Sequence, residues 1–82
     1  MLARVKLFGP LSQAVGQAEL SVPLEGASPT CAALRTSIST REPRLAGLLD
    51  GCRFAVNGQF APEEQALAGG DEIALIGFVS GG

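Results

Sequence analysis

With 82 residues, 46% of them hydrophobic and 17% charged, and a formal net charge of −2, the chain is sized for one small domain of ordinary apolar content. A domain this short buries only about 60% of the surface its unfolded chain exposes, so each large apolar residue matters. There is no basic stripe for nucleic acid, no apolar run approaching the roughly 18 residues of a membrane span, no signal-peptide pattern and too much hydrophobicity for disorder; a soluble, cytoplasmic protein is expected.

Residues 3–8 alternate. Val5 and Leu7 share one parity, and Arg4, Lys6 and Phe8 the other, which predicts a half-buried strand with one aromatic on its charged side. Gly9-Pro10 breaks it, and residues 11–15 form a short helical connection closed by Gly16. Residues 17–23 alternate again, with Ala18, Leu20 and Val22 facing one way. The two strands read as an antiparallel pair.

Ser28-Pro29 reads as a helix start, a serine N-cap followed by proline at the first helical position, where its missing N–H costs nothing. Cys31, Leu34 and Ile38 then fall at i, i+3 and i+7, one apolar stripe suited to covering a sheet. The helix is expected to end near Thr40. Pro43 opens a second short helix with Leu45, Leu48 and Leu49 buried, ended by Asp50-Gly51. Asn57-Gly58 between residues 53–56 and 59–61 predicts a type I′ hairpin. Residues 62–67 connect, residues 68–71 turn, and residues 72–76 form the last strand.

The order strand, strand, helix, short helix, strand, short strand, strand is α+β, a mixed sheet with one main helix packed on one face. The first and last strands, both apolar enough for burial, are placed as central neighbours. This is the β-grasp, or ubiquitin-like, roll, with residues 1–82 as a single domain whose tail is residues 78–82.

Parity also predicts an apolar surface opposite the helix. Val56 and Gln59 pair across the hairpin and point one way, so Phe60 points with Ala55 to the other side. Ile76 and Phe8 share that side, with Phe78 just beyond. An open apolar patch on a small domain marks a partner site, and aromatic anchors suit one. A single bulge in one strand would instead return these residues to the core.

The chain ends Phe78-Val79-Ser80-Gly81-Gly82. Two terminal glycines arise by chance in roughly one chain in 200, a modest signal by itself. Here they follow an apolar strand directly, so the tail is well placed for presentation. Without Cβ it fits channels too narrow for side chains, and five extended residues reach at most about 17 Å. The chemistry this end does is done with others' help. There is no histidine to act as a general base, and Cys31 and Cys52 lack both CxxC spacing and a histidine partner. No metal is expected, and the cysteines are expected to be reduced, buried and inert.

Four stretches carry a resemblance across essentially the whole chain: Val5-Lys6-Leu7-Phe8, Phe54-Ala55-Val56-Asn57-Gly58, Leu67-Ala68-Gly69-Gly70-Asp71-Glu72-Ile73-Ala74, and the terminal Val79-Ser80-Gly81-Gly82. In these the sequence resembles the small subunit of molybdopterin synthase, the MoaD family, within the sulfur-carrier group that includes the thiamine carrier ThiS. It departs from that pattern in carrying Gly77-Phe78 where relatives often have Pro-Pro, and Pro10-Leu11-Ser12 where many carry an arginine.

The resemblance implies that an adenylyltransferase resembling ubiquitin E1 activates the Gly82 carboxylate with ATP, and that a sulfur-donor protein then converts it to a thiocarboxylate. Phe78, Val79, Ser80 and Gly81 would thread into the large subunit of molybdopterin synthase, with Phe8, Phe60 and Ile76 gripping it. The sulfur would go to a cyclic pterin phosphate. The carrier itself would bind no cofactor and would be the non-catalytic subunit of the complex. A carrier for thiamine, tRNA thiolation or an amino acid, a protein modifier joined to lysine, and an inert ubiquitin-like module remain alternatives.

Overall fold

The structure, a computed structural model, describes residues 1–77. The elements run β1 (Leu2–Leu7), α1 (Pro10–Val15), β2 (Glu19–Pro23), α2 (Cys31–Arg41), α3 (Pro43–Ala46), a 3₁₀ turn (Leu49–Gly51), β3 (Cys52–Val56), β4 (Gln59–Ala61) and β5 (Ile73–Gly77). The five strands form one sheet in the order β2-β1-β5-β3-β4. β1 and β5 are the parallel central pair, with Val5 opposite Ile73 and Leu7 opposite Leu75. All other pairings are antiparallel. The mixed sheet with α2 on one face is the β-grasp arrangement expected from the order of elements.

Strand alternation sorts the two faces. Ala3, Val5 and Leu7, Leu20 and Val22, Phe54 and Val56, and Ile73 and Leu75 are buried toward the helix. Cys31, Leu34 and Ile38 of α2 meet them, all without solvent exposure. Phe54 is the largest fully buried side chain of this cluster. Burying a side chain of this size contributes on the order of 2–3 kcal/mol.

Two turns depend on unusual backbone geometry. Asn57 (φ 52°) and Gly58 (φ 86°) both take positive φ, as a type I′ hairpin demands. Gly9 takes φ 53°, ψ −129°, a region closed to residues with Cβ. It turns the chain abruptly from β1 into α1, ending the strand at Leu7 and leaving Phe8 outside it.

Three expectations are corrected. The N-cap of α2 is Thr30, whose hydroxyl accepts from the Ala33 amide at 3.2 Å, not Ser28. Pro29 precedes the helix because its carbonyl accepts from the Leu67 amide at 2.8 Å and Thr30 bridges Ala66, holding this stretch extended. Leu48 is 42% exposed rather than buried, because the chain changes from α3 to a 3₁₀ turn there and the helical period is lost. Ala18 lies in the turn before β2 and is exposed.

Candidate functional site

The side of the sheet away from α2 presents Phe60, 57% exposed, on β4 and Ile76, half-buried, on β5, while Phe8, 54% exposed, follows the end of β1. In register, Ile76 lies opposite Arg53, and Ala74 opposite Ala55, which in turn faces Phe60. The Arg53 guanidinium lies over the Phe60 ring, 5.8 Å from its centroid. At exposed sites such a contact is worth roughly 0.5–1 kcal/mol and holds the ring in place.

Phe8 and Ile76 meet in one groove. With Pro10, Leu11, Leu48 and Cys52 they line an open apolar groove of about 520 Å³ that ends at Gly77, the last described residue before the tail. Of these, Pro10, Leu11, Leu48 and Cys52 are lining residues the sequence did not yield, and Leu48 is the exposed apolar one among them. Its exposure results from the same change of helix type that removed it from the core. A Cβ placed on Gly77 would sit 3.8 Å from Cys52 Sγ and from Leu11, an ordinary contact, so glycine is not forced there by packing. Phe60 lies on the far strand and does not line the groove. Phe78, Val79, Ser80, Gly81 and Gly82, assigned to threading and activation, lie outside the described residues.

Charge is divided unevenly. The outward strand positions carry Arg4, Lys6 and Arg53 against one carboxylate, Glu19. Three cations against one carboxylate give that surface a local +2. The rest of the chain holds three cations and seven carboxylates, since the whole has 6 Lys and Arg and 8 Asp and Glu. At the end nearest Arg4 and Lys6, Asp71 and Glu72 border the same depression and temper the field.

The cysteines are free thiols, both buried. Burial pushes both thiols up from their ordinary value, which keeps them protonated and poorly nucleophilic. Cys52 donates to the Leu48 carbonyl at 3.1 Å, a packing role. Among the described residues no group of three or more His, Cys, Asp and Glu could hold a metal, and no helix is long and apolar enough to cross a membrane.

A small roll with an apolar groove at the root of a diglycine tail suits a domain that docks and presents its end. The ThiS family model matches residues 5–82, nearly the whole chain and through the final glycine. The chain belongs to the ThiS family.

Solved structures agree on the fold. SAMP1, a small archaeal modifier protein from Haloferax volcanii, is 28% identical with full coverage of both chains and a TM-score of 0.86. A Pyrococcus furiosus protein described as molybdopterin converting factor subunit 1 is 25% identical, with 96% of this chain and 99% of that one covered and a TM-score of 0.82. A chain from the complex of subunits 1 and 2 of the molybdopterin-converting factor of Helicobacter pylori 26695 is 25% identical with full coverage of both and a TM-score of 0.67. Curated protein sequences gave no match. The protein is thus a ubiquitin-like sulfur carrier of the ThiS/MoaD type.

Proposed function

We propose that this ThiS-family protein is the small, sulfur-donating subunit of a molybdopterin synthase. The observation that carries the reading is the family match extending through Gly81-Gly82, in a chain with an apolar groove that reaches Gly77 at the root of that tail. In this reading the Gly82 carboxylate attacks the α-phosphorus of ATP on an activating enzyme, releasing pyrophosphate and forming an acyl-adenylate. The terminal sulfur of a donor persulfide attacks that carbonyl and AMP leaves. A thiol reduces the resulting acyl disulfide, giving the Gly82 thiocarboxylate and a disulfide on the donor side.

The chain's own contribution is grip and delivery. Phe8, Leu48, Ile76 and Phe60 dock on the large subunit, and Val79, Ser80 and Gly81 enter its active site. Binding energy gathered on the outer sheet surface then positions the reactive terminus for transfer to cyclic pyranopterin monophosphate, a proximity effect. The local +2 suits partners with carboxylates around an apolar contact.

A second reading has support of its own. The likeness to archaeal modifier proteins, at 28% identity, favours a carrier whose Gly82 is also joined to lysines of other proteins. Incubating the protein with cyclic pyranopterin monophosphate, a molybdopterin synthase large subunit, an activating enzyme, ATP, a persulfide donor and a reducing thiol separates the two. Molybdopterin formation that is lost on deleting Gly82 supports the first. Lysine conjugates without molybdopterin support the second and sink the first.

A further inference from the structure

The groove wall is held by a side chain that does not itself line the groove. Arg35, on α2, pairs bidentately with Glu63: Nε donates to Oε1 and Nη2 to Oε2, both at 2.9 Å. Its Nη1 donates to the Leu49 carbonyl, and Nη2 also donates to the Cys52 carbonyl at 3.0 Å. Its guanidinium sits 5.3 Å from the centroid of the buried Phe54 ring. Glu63 is itself anchored, since its carbonyl accepts from the Ala32 amide at 2.9 Å and the next turn closes onto Cys31 through the Gln65 carbonyl at 3.0 Å.

Leu49 opens the 3₁₀ turn and Cys52 follows it, and the segment from Leu48 to Cys52 supplies Leu48, Gly51 and Cys52 to the groove. Cys52 is also the register partner of Gly77, where the tail begins. A 3₁₀ turn of three residues has little hydrogen bonding of its own to define its position. One planar fork that reaches both of its ends can set where the wall stands.

We propose that Arg35 is a positioning residue for partner docking: by holding the carbonyls of Leu49 and Cys52 it sets the placement of the Leu48–Cys52 wall relative to Gly77. This rests on the docking role given above to the groove. The fork geometry is the operative property, so charge alone does not replace it.

The test compares Arg35→Lys, Glu63→Gln and Leu48→Asp in the full chain. It reads amide hydrogen exchange over residues 48–52 and affinity for a molybdopterin synthase large subunit. Both are read at a temperature where circular dichroism shows each variant folded. There, lost global stability does not alter affinity, because the folded fraction stays near one. Arg35→Lys is expected to speed exchange in residues 48–52 and weaken docking about three- to tenfold. Glu63→Gln, which spares the two carbonyl bonds, is expected to do less.

Unchanged exchange in Arg35→Lys overturns the proposal. So does faster exchange with unchanged affinity when Leu48→Asp weakens docking. If Leu48→Asp itself leaves affinity intact, the groove is not the docking site; the proposal then falls with that reading, and this arm shows which failed.

Discussion

Asn57 Nδ2 donates to Asp71 Oδ1 at 3.0 Å, fastening the β3–β4 turn to the start of β5. The Asn57 carbonyl oxygen of the side chain accepts from the Glu72 amide at 2.9 Å, and Asp71 Oδ2 accepts from the Ala68 amide at 2.8 Å. The Val-Asn-Gly and Gly-Asp-Glu stretches that carried the family resemblance are therefore two halves of one structural clamp. They fasten the hairpin to the segment that leads into β5. Asn57→Ala loses the clamp and places a residue with no local hydrogen bond in the left-handed region. It should destabilise the protein by about 1–3 kcal/mol in urea unfolding, with unchanged docking. Asn57→Gly, free of the backbone strain, should lose less.

Two carboxylates tie stability to acid. Arg35, chiefly through its side-chain hydrogen bond, holds Glu63 below the usual carboxylate range, and the Ala68 amide, then Asn57, hold Asp71 below it. Groups depressed on folding contribute fully above their unfolded values, about 3.9–4.3, and lose that contribution as pH falls through the lowered folded values. The thiols act with the opposite sign. Raised on folding by burial, they stabilise below an unfolded value of about 8.5 and lose this as pH rises toward their folded values. Denaturation midpoints across pH should show a flat centre with both limbs falling. Asp71→Asn with Glu63→Gln should lower the centre and shallow the acid limb.

Phe54 and Phe60, neighbours on the two strands of one hairpin, should behave oppositely. Phe54 is fully buried, so Phe54→Ala should cost about 3–5 kcal/mol. Phe60→Asp should change stability by less than about 1 kcal/mol yet weaken large-subunit binding strongly. Calorimetry and titration on both variants check this. An unfolded Phe60→Asp would show that the outer ring is core.

The charge division predicts association kinetics. Lys6→Glu should slow large-subunit association by about three- to tenfold at low salt and leave dissociation nearly unchanged. The difference should fade as salt rises, as stopped-flow traces at several ionic strengths would show.

The sheet was legible because alternation is local: reading parity through residues 3–7, 53–60 and 73–76 places each side chain on its observed face. The hairpin was legible because Asn-Gly has one low-strain use there. Thr30 was hidden behind Ser28-Pro29, an equally good start on propensity, until the long-range bond from Leu67 to Pro29 decided it. The groove could not be read locally, since Phe8, Leu11, Leu48 and Ile76 come from four separate segments. The Arg35 fork likewise joins residues 14 to 28 positions apart, a relation no helical or strand period encodes.

The central claim is that Gly82 carries sulfur. Intact-mass spectrometry after incubation with an activating enzyme, ATP, a persulfide donor and a reducing thiol tests it most directly, with a known carrier run alongside to show that the reagents work. The account predicts a mass gain of one oxygen-for-sulfur replacement, located on the C-terminal peptide and absent when Gly82 is deleted. An unchanged mass beside a converted control would contradict it.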